Sequence, residues 1–357
     1  MRHERTLAPG ARIFGCVVLT ALALLSLGWI IRDLTQAAES VDVWWMWTGV
    51  VPRAEDGVWV TSSLEPTLLL VYAVSAAMVV RSSAAAGLLV ATGTLTLLVR
   101  TPGLWIPTAN WTQGVEETLE GQLLFTTLVL MVLAAVLLVT AAVGHRPQDT
   151  AEGYDGPPAN PLDEPPALPT PGGGALAFLL LGAAGLTVAA WEVHSWYALG
   201  WKYYSRTLTG ERSTLTLLSV PPGWLAWTLV ALLLVGAYAA LVRAGFARPL
   251  GLVLAGALLG YGVFPLAYAV RMRLFENVAA LDGRAQLHLA SLVLETLAGL
   301  IALLALAARG VGKDGAAPGK FAQSCRDLAP TDARAAGPPE CSAHPEPGRP
   351  PKPPGSE

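Results

Sequence analysis

Charge is scarce in this chain. Only 14% of its 357 residues are Asp, Glu, Lys or Arg, and 53% are hydrophobic. A soluble domain carries about 25% charged residues, so a soluble globular protein is excluded as the whole reading. The net charge of −3 gives no basic surface for nucleic acid. Cysteine is also scarce. Cys16 sits in an apolar segment, and Cys325 and Cys341 sit near the C-terminus, so no disulfide framework is expected. Chemical motifs are missing as well. The chain has no P-loop, H-E-x-x-H, C-x-x-C, G-x-S-x-G or dinucleotide fingerprint. No cofactor, metal site or catalytic constellation is therefore expected. Gly260-Tyr261-Gly262 echoes a potassium filter but lies inside a long apolar segment. Asn110-Trp111-Thr112 fits a glycosylation acceptor in an outer loop.

What the chain has is an apolar half that occurs twice. Residues 12–143 carry four long apolar segments and residues 175–308 carry four more, aligned at an offset of 162. Trp29 meets Trp191, Val80-Arg81 meets Val242-Arg243, and Leu119 and Gly121 meet Leu281 and Gly283. Such a repeat marks a polytopic membrane protein built by duplication. Eight spanning helices are expected at 13–31, 64–80, 84–99, 123–143, 175–191, 224–242, 250–270 and 287–308. Crossing about 30 Å of hydrocarbon takes roughly 20 helical residues. The third is accordingly expected to run on past Arg100, toward Ile106. The first segment is read as a retained helix, because its 19-residue apolar run exceeds a signal-peptide core.

Four regions follow. Residues 1–143 form membrane repeat one, 144–174 a Pro-rich acidic linker, 175–308 membrane repeat two, and 309–357 a Pro-rich tail. The linker and tail are too polar and Pro-rich to offset chain entropy, so both are expected to be disordered. Basic residues near Arg2, Arg5, Arg12, Arg81, Arg243–Arg248 and Arg309 gather on one side, which the positive-inside rule makes cytoplasmic. Both termini then face the cytoplasm. Arg-over-Lys bias and abundant Ala, Gly and Pro point to a GC-rich genome and a bacterial plasma membrane. Four spans per repeat put the pseudo-two-fold axis along the membrane normal.

The loop after the first helix of each repeat is expected to form a small extracytoplasmic β-hairpin. Val41 to Trp47 and Val58 to Thr61 flank one turn; Lys202 to Thr207 and Ser213 to Val220 flank a turn at Gly210. Four helices with a strand pair after the first is a topology similar to the claudin-like four-helix fold. The cysteine pair of the claudin outer loop has no counterpart here, so the resemblance implies no function.

Three features could carry function. Trp44, Trp45, Trp47, Trp59, Trp196, Trp201, Tyr203 and Tyr204 crowd the outer segments. They make either an interfacial aromatic belt or an outer binding surface. The outer segments of repeat one are net acidic and those of repeat two net basic, a pattern that would help them dock. Finally, His288, Ser291 and Glu295 share one face of the eighth helix. A carboxyl inside a membrane helix costs roughly 2.5–3.5 kcal/mol and marks either function or bundle packing. Helix rise puts Arg100 within side-chain reach of that depth, making it the expected counter-charge, unless it snorkels to the interface. Gly256 and Gly260 form a small-residue face for close helix contact.

The function expected is a non-catalytic accessory or scaffold subunit of a cell-envelope or transport complex. Its partners are the lipid bilayer and other membrane-complex subunits, not nucleic acid. The competing reading is a permease or channel-like component moving a small solute or proton through the groove between repeats. A membrane enzyme ranks third.

Overall fold

Pro9 opens the first of ten α-helices in the computed structural model, which describes residues 6–50, 52, 54, 57–106, 116–146, 170–211 and 216–307. The helices are α1 (Pro9–Gln36), α2 (Ser40–Thr48), α3 (Leu64–Arg81), α4 (Ala85–Arg100), α5 (Glu117–Val143), α6 (Pro171–Leu199), α7 (Trp201–Thr209), α8 (Pro222–Leu241), α9 (Ala247–Arg271) and α10 (Gly283–Ala307). Eight of them are long and apolar enough to cross a membrane, the architecture of a polytopic membrane protein. α4 continues as a 3₁₀ turn, Thr101–Leu104, so the third span does run past Arg100. α6 begins at Pro171, inside the stretch expected to be linker. Pro at its first turn and the Thr170 hydroxyl accepting from the Gly173 N–H both favour that start. At its other end the same stretch is ordered too, His145–Arg146 pairing as a strand with Thr6–Leu7. The rest of the segments expected to be disordered lies outside the described residues.

The spanning helices are apolar around most of their circumference. One face packs inward through Leu19, Leu22, Leu89, Leu137, Leu181, Leu233 and Leu258. The opposite faces leave Leu24, Leu70, Phe125, Val132, Leu186 and Leu304 exposed, as a lipid-bathed surface requires. In the first half α1 packs on α3, α4 on α5, α1 on α5 and α3 on α4. The second half repeats these pairs as α6 on α8, α9 on α10, α6 on α10 and α8 on α9. The halves meet through α3, α4, α8 and α9.

Two ends can be distinguished. At the base end Thr6–Leu7 and His145–Arg146 form an antiparallel strand pair, the only sheet among the described residues. There Arg12 is buried and donates to the Leu7 carbonyl, and Arg248 donates to the carbonyls of Leu306 and Ala307, capping the negative end of α10. The cap end carries α2 and α7.

Neither expected hairpin forms. The segment from Ser40 to Thr48 is helix α2, and that from Trp201 to Thr209 is helix α7. Local signals for these helices outweigh β-propensity. Glu39 and Asp42 make a reciprocal capping box at the start of α2. Gly49 (φ 99°) and Gly210 (φ 92°) end the two helices in the left-handed conformation, so Gly210 is a helix C-cap and not a hairpin turn. On α7 Trp201, Tyr204 and Leu208 fall at helical spacing. The claudin-like topology is not obtained, because helices replace its strands. The two segments expected to return as strands meet each other instead: Leu217 and Leu218 N–H donate to the carbonyls of Trp59 and Val60.

The small-residue face of α9 is used across the halves. A Cβ at Gly256 would touch Val71, and one at Gly260 would collide with Thr67, both on α3. Within the second half a Cβ at Gly262 would lie 2.5 Å from Thr296, and one at Gly299 would lie 2.8 Å from the Leu259 backbone. α9 and α10 therefore pack backbone to backbone.

Candidate functional site

Polar groups inside the bundle gather in two clusters, one per half. In the first half they are ions. Arg100, at the end of α4, sends Nη1 to Glu65 Oε1 on α3 at 2.8 Å. Glu65 is fully buried and Arg100 is 3% exposed. Glu65 Oε2 accepts from the Ser62 N–H at 2.6 Å and the Ser62 hydroxyl at 2.8 Å, the reach-back half of a capping box. The seam continues between α3 and α4 as Tyr72–Thr96 and Ser75–Thr92 hydroxyl pairs. Near the end of α1, buried Asp33 accepts from the Thr61 N–H and hydroxyl and from the Val60 N–H, and pairs with Arg32 at 2.8 Å. Arg32 also donates to the Val58 carbonyl. A carboxylate accepting this many donors fixes the cap segment to the helix end.

This arrangement corrects the expected Arg100–Glu295 pair. The counter-charge of Arg100 is Glu65, 35 residues before it, and its Nε has no partner among the described residues.

In the second half the polar groups are neutral or singly acidic. Trp191 Nε1 donates to Ser291 Oγ at 2.9 Å, and the exposed His288 ring stands edge-on to Trp191, centroids 5.0 Å apart. Glu295 is 3% exposed, one turn beyond Ser291 on the same inward face. Its Oε2 has no hydrogen-bond partner among the described residues. Higher up, Trp227 Nε1 donates to Tyr204 Oη at 2.6 Å, and Tyr204 donates to Glu192 Oε2 at 2.8 Å. Burial first, then donation to the Glu192 carboxylate, pushes the Tyr204 hydroxyl up to about 12. Of the four residues expected to form a polar path, His288 and Ser291 converge on Trp191. Glu295 follows them on the face. Arg100 belongs to the other half.

The eight aromatic residues expected at the surface divide. Trp44, Trp196, Trp201 and Tyr203 are exposed, Trp45 and Trp47 half-buried, and Trp59 and Tyr204 buried. Trp59 donates to the Pro52 carbonyl and Trp47 to the Thr61 hydroxyl. Trp44 and Trp47 lie against Phe264 of α9, centroids 5.3 and 6.2 Å away. Trp105 donates to the Thr209 carbonyl and Trp224 to the Leu98 carbonyl. The cap segments of the two halves are thus joined by indole hydrogen bonds and ring contacts. The ion pairs Arg32–Asp33, Arg100–Glu65, Arg206–Glu211 and Arg273–Glu276 each lie within one half, and Glu55 and Asp56, acids of the expected electrostatic docking, lie outside the described residues.

Between α3 and α9 lies a groove of about 470 Å³. Its walls include Leu70, Val74, Met78, Val263 and Phe264, with Trp44 at the cap end. Thr67 and Ser75 are its hydroxyl-bearing residues, and both hydroxyls are hydrogen-bonded elsewhere. No charged side chain lines it. No cluster of three metal-ligating side chains occurs among the described residues.

Glu65 and Asp33 were missed as buried groups because both sit at helix ends, where sequence places charges in water. Ser62-x-x-Glu65 carried a signal for Glu65, being a capping-box spacing. Comparison with known proteins gives no matching family, no matching curated protein and no matching solved structure.

Proposed function

We propose that this chain is a non-catalytic accessory or scaffold subunit of a cell-envelope or transport complex in a bacterial plasma membrane. In this reading residues 1–143 and 175–308 are duplicated four-helix repeats related by an axis along the membrane normal, and the base end with both termini is cytoplasmic. The matching helix pairs of the two halves support the duplication. Arg81, Arg243 and Arg248 at the base end support the orientation.

One observation carries the functional reading. The polar side chains that meet across the spans fasten one helix to another, while the groove between halves is apolar. A solute path needs polar groups that are exposed to the solute and free to exchange partners. What remains for recognition is the cap-end surface, where Tyr197 is 82% and Trp201 60% exposed beside Trp196 and Tyr203. Exposed aromatic residues of this kind suit a membrane-embedded partner.

The competing permease reading keeps one specific support, the buried Glu295 carboxyl with an unpartnered oxygen. Native gel electrophoresis of gently solubilised membranes tests the scaffold reading. The wild-type chain should migrate well above the size of the purified chain. Tyr197→Ser with Trp201→Ser should bring it down to that size without lowering its amount. A wild-type chain that migrates alone would overturn the reading.

A further inference from the structure

The groove between α3 and α9 has a length, an apolar lining and a charge at one end, and together these select an occupant. Along α9 its lining runs from Leu252 to Phe264, twelve steps or about 18 Å at 1.5 Å per residue. Half of a hydrocarbon core is about 15 Å, so the groove, set around the middle of α9, takes in the inner part of the cap-side leaflet and reaches past the midplane. A volume of about 470 Å³ drawn out over that length makes a long, apolar slot, a shape that suits an extended hydrocarbon chain. The groove opens sideways past Leu70 and Val74, which are 66% and 56% exposed on the outer face of α3.

At its cap end the groove does not stop. Val263 also lines a shallow recess formed with Trp45, Leu266, Ala267, Val270 and Arg271. Arg271 lies seven residues beyond Phe264, about 10 Å farther along the helix, at the depth of the headgroups. Its guanidinium carbon sits 3.7 Å from the centroid of the Trp45 ring. It has no carboxylate partner among the described residues. A cation held flat on an indole at the interface, with no protein anion against it, complements an anionic headgroup.

We propose that this surface is a lipid site: one acyl chain of an anionic phospholipid enters the cap-side part of the α3–α9 groove, and its phosphate meets Arg271 beside Trp45. The lipid chain then completes the packing between the two halves, where Gly256 and Gly260 keep α9 slim. A neutral apolar ligand leaves Arg271 without a role.

Native mass spectrometry of the full chain, released from detergent with added phosphatidylglycerol or phosphatidylcholine of identical chains, tests this. The wild-type chain should retain one phosphatidylglycerol, with about a tenfold preference over phosphatidylcholine. Arg271→Gln should remove the preference and keep a single adduct. Val74→Trp, at an exposed position on the groove wall, should lose the adduct of both lipids. Circular dichroism at the wild-type level would show that both variants fold. Several adducts with no headgroup preference, unchanged in both variants, would mean bulk lipid and overturn the proposal. So would efficient cross-linking of Val74→Cys to another protein without any lipid adduct.

Discussion

The two halves pair their helices in the same order but fasten them with different chemistry. At the 162-residue offset Glu65 corresponds to Trp227, and Arg100 to Gly262. The first half therefore holds α3 to α4 through a buried ion pair, at the level where the second half has an indole and a bare backbone. Thr96 and Thr92 correspond to Leu258 and Leu254, so the hydroxyl seam also has no counterpart. The second half fastens elsewhere, through Trp227–Tyr204–Glu192 and Trp191–Ser291, and brings α9 and α10 together at Gly262 and Gly299. The comparison teaches that the helix arrangement does not depend on any particular polar pair. Apolar shape sets the arrangement, and each half places its own polar fastenings within it.

The comparison can be broken most severely at Arg100. Arg100→Leu leaves Glu65 charged and buried without a partner, and should cost roughly 3–5 kcal/mol in reversible unfolding from mixed micelles. Replacing both, as Glu65→Leu with Arg100→Leu, makes the first half resemble the second and should recover most of that loss. A double variant as unstable as the single one would show that the ion pair itself specifies the fold.

Asp33→Ala removes the acceptor for two backbone N–H groups and the Thr61 hydroxyl. It should cost about 2–3 kcal/mol, with amide exchange accelerated at Val60 and Thr61 and unchanged at Leu233. In the second half, Gly262→Ala pushes a methyl group into Thr296 and should cost about 1–3 kcal/mol. Val99, the neighbour of Arg100, already has a side chain, and Val99→Ala should give a cavity effect of smaller size instead of a clash.

The smallest effect belongs to Tyr204. Its hydroxyl is pushed up from 10 to about 12 in the folded chain. The unfolded state therefore loses its proton first, so this contribution is fully present below about pH 10 and declines as pH rises toward 12. Tyr204→Phe should lower stability by about 0.5–1.5 kcal/mol at neutral pH and flatten the decline above pH 10. An unchanged alkaline profile in the Phe variant would remove Tyr204 from the fastening network.

Eight spans were legible in the sequence because apolar runs of membrane length have few alternatives in water or lipid. Their pairing was not, because apolar runs of this kind do not say which faces meet. The cap was not. Val41 to Trp47 reads as a strand by residue preference, yet the Glu39–Asp42 box and Gly49 turn it into a helix. Both helix-end signals were in the sequence and were outweighed by the β-branched and aromatic residues between them. The polar clusters were legible in part. Ser291 and Glu295 share an inward face as helical spacing requires. Arg100 was not paired correctly, since its partner Glu65 opens α3 at the same end where α4 closes, whereas Glu295 lies midway along α10. The charge contrast between outer segments was legible, but the ring and backbone contacts that join the cap were not.

Glu295 is where the fastening account meets its competitor, since its Oε2 alone among the carboxylate oxygens described here is buried without a partner. Proton flux into vesicles holding the purified chain, measured with a trapped pH dye under an imposed gradient, addresses it directly. Wild type and Glu295→Gln should both match empty vesicles in flux and match each other in melting temperature. Flux above empty vesicles for the wild type, abolished in Glu295→Gln at unchanged melting temperature, would contradict the account and make Glu295 part of a path.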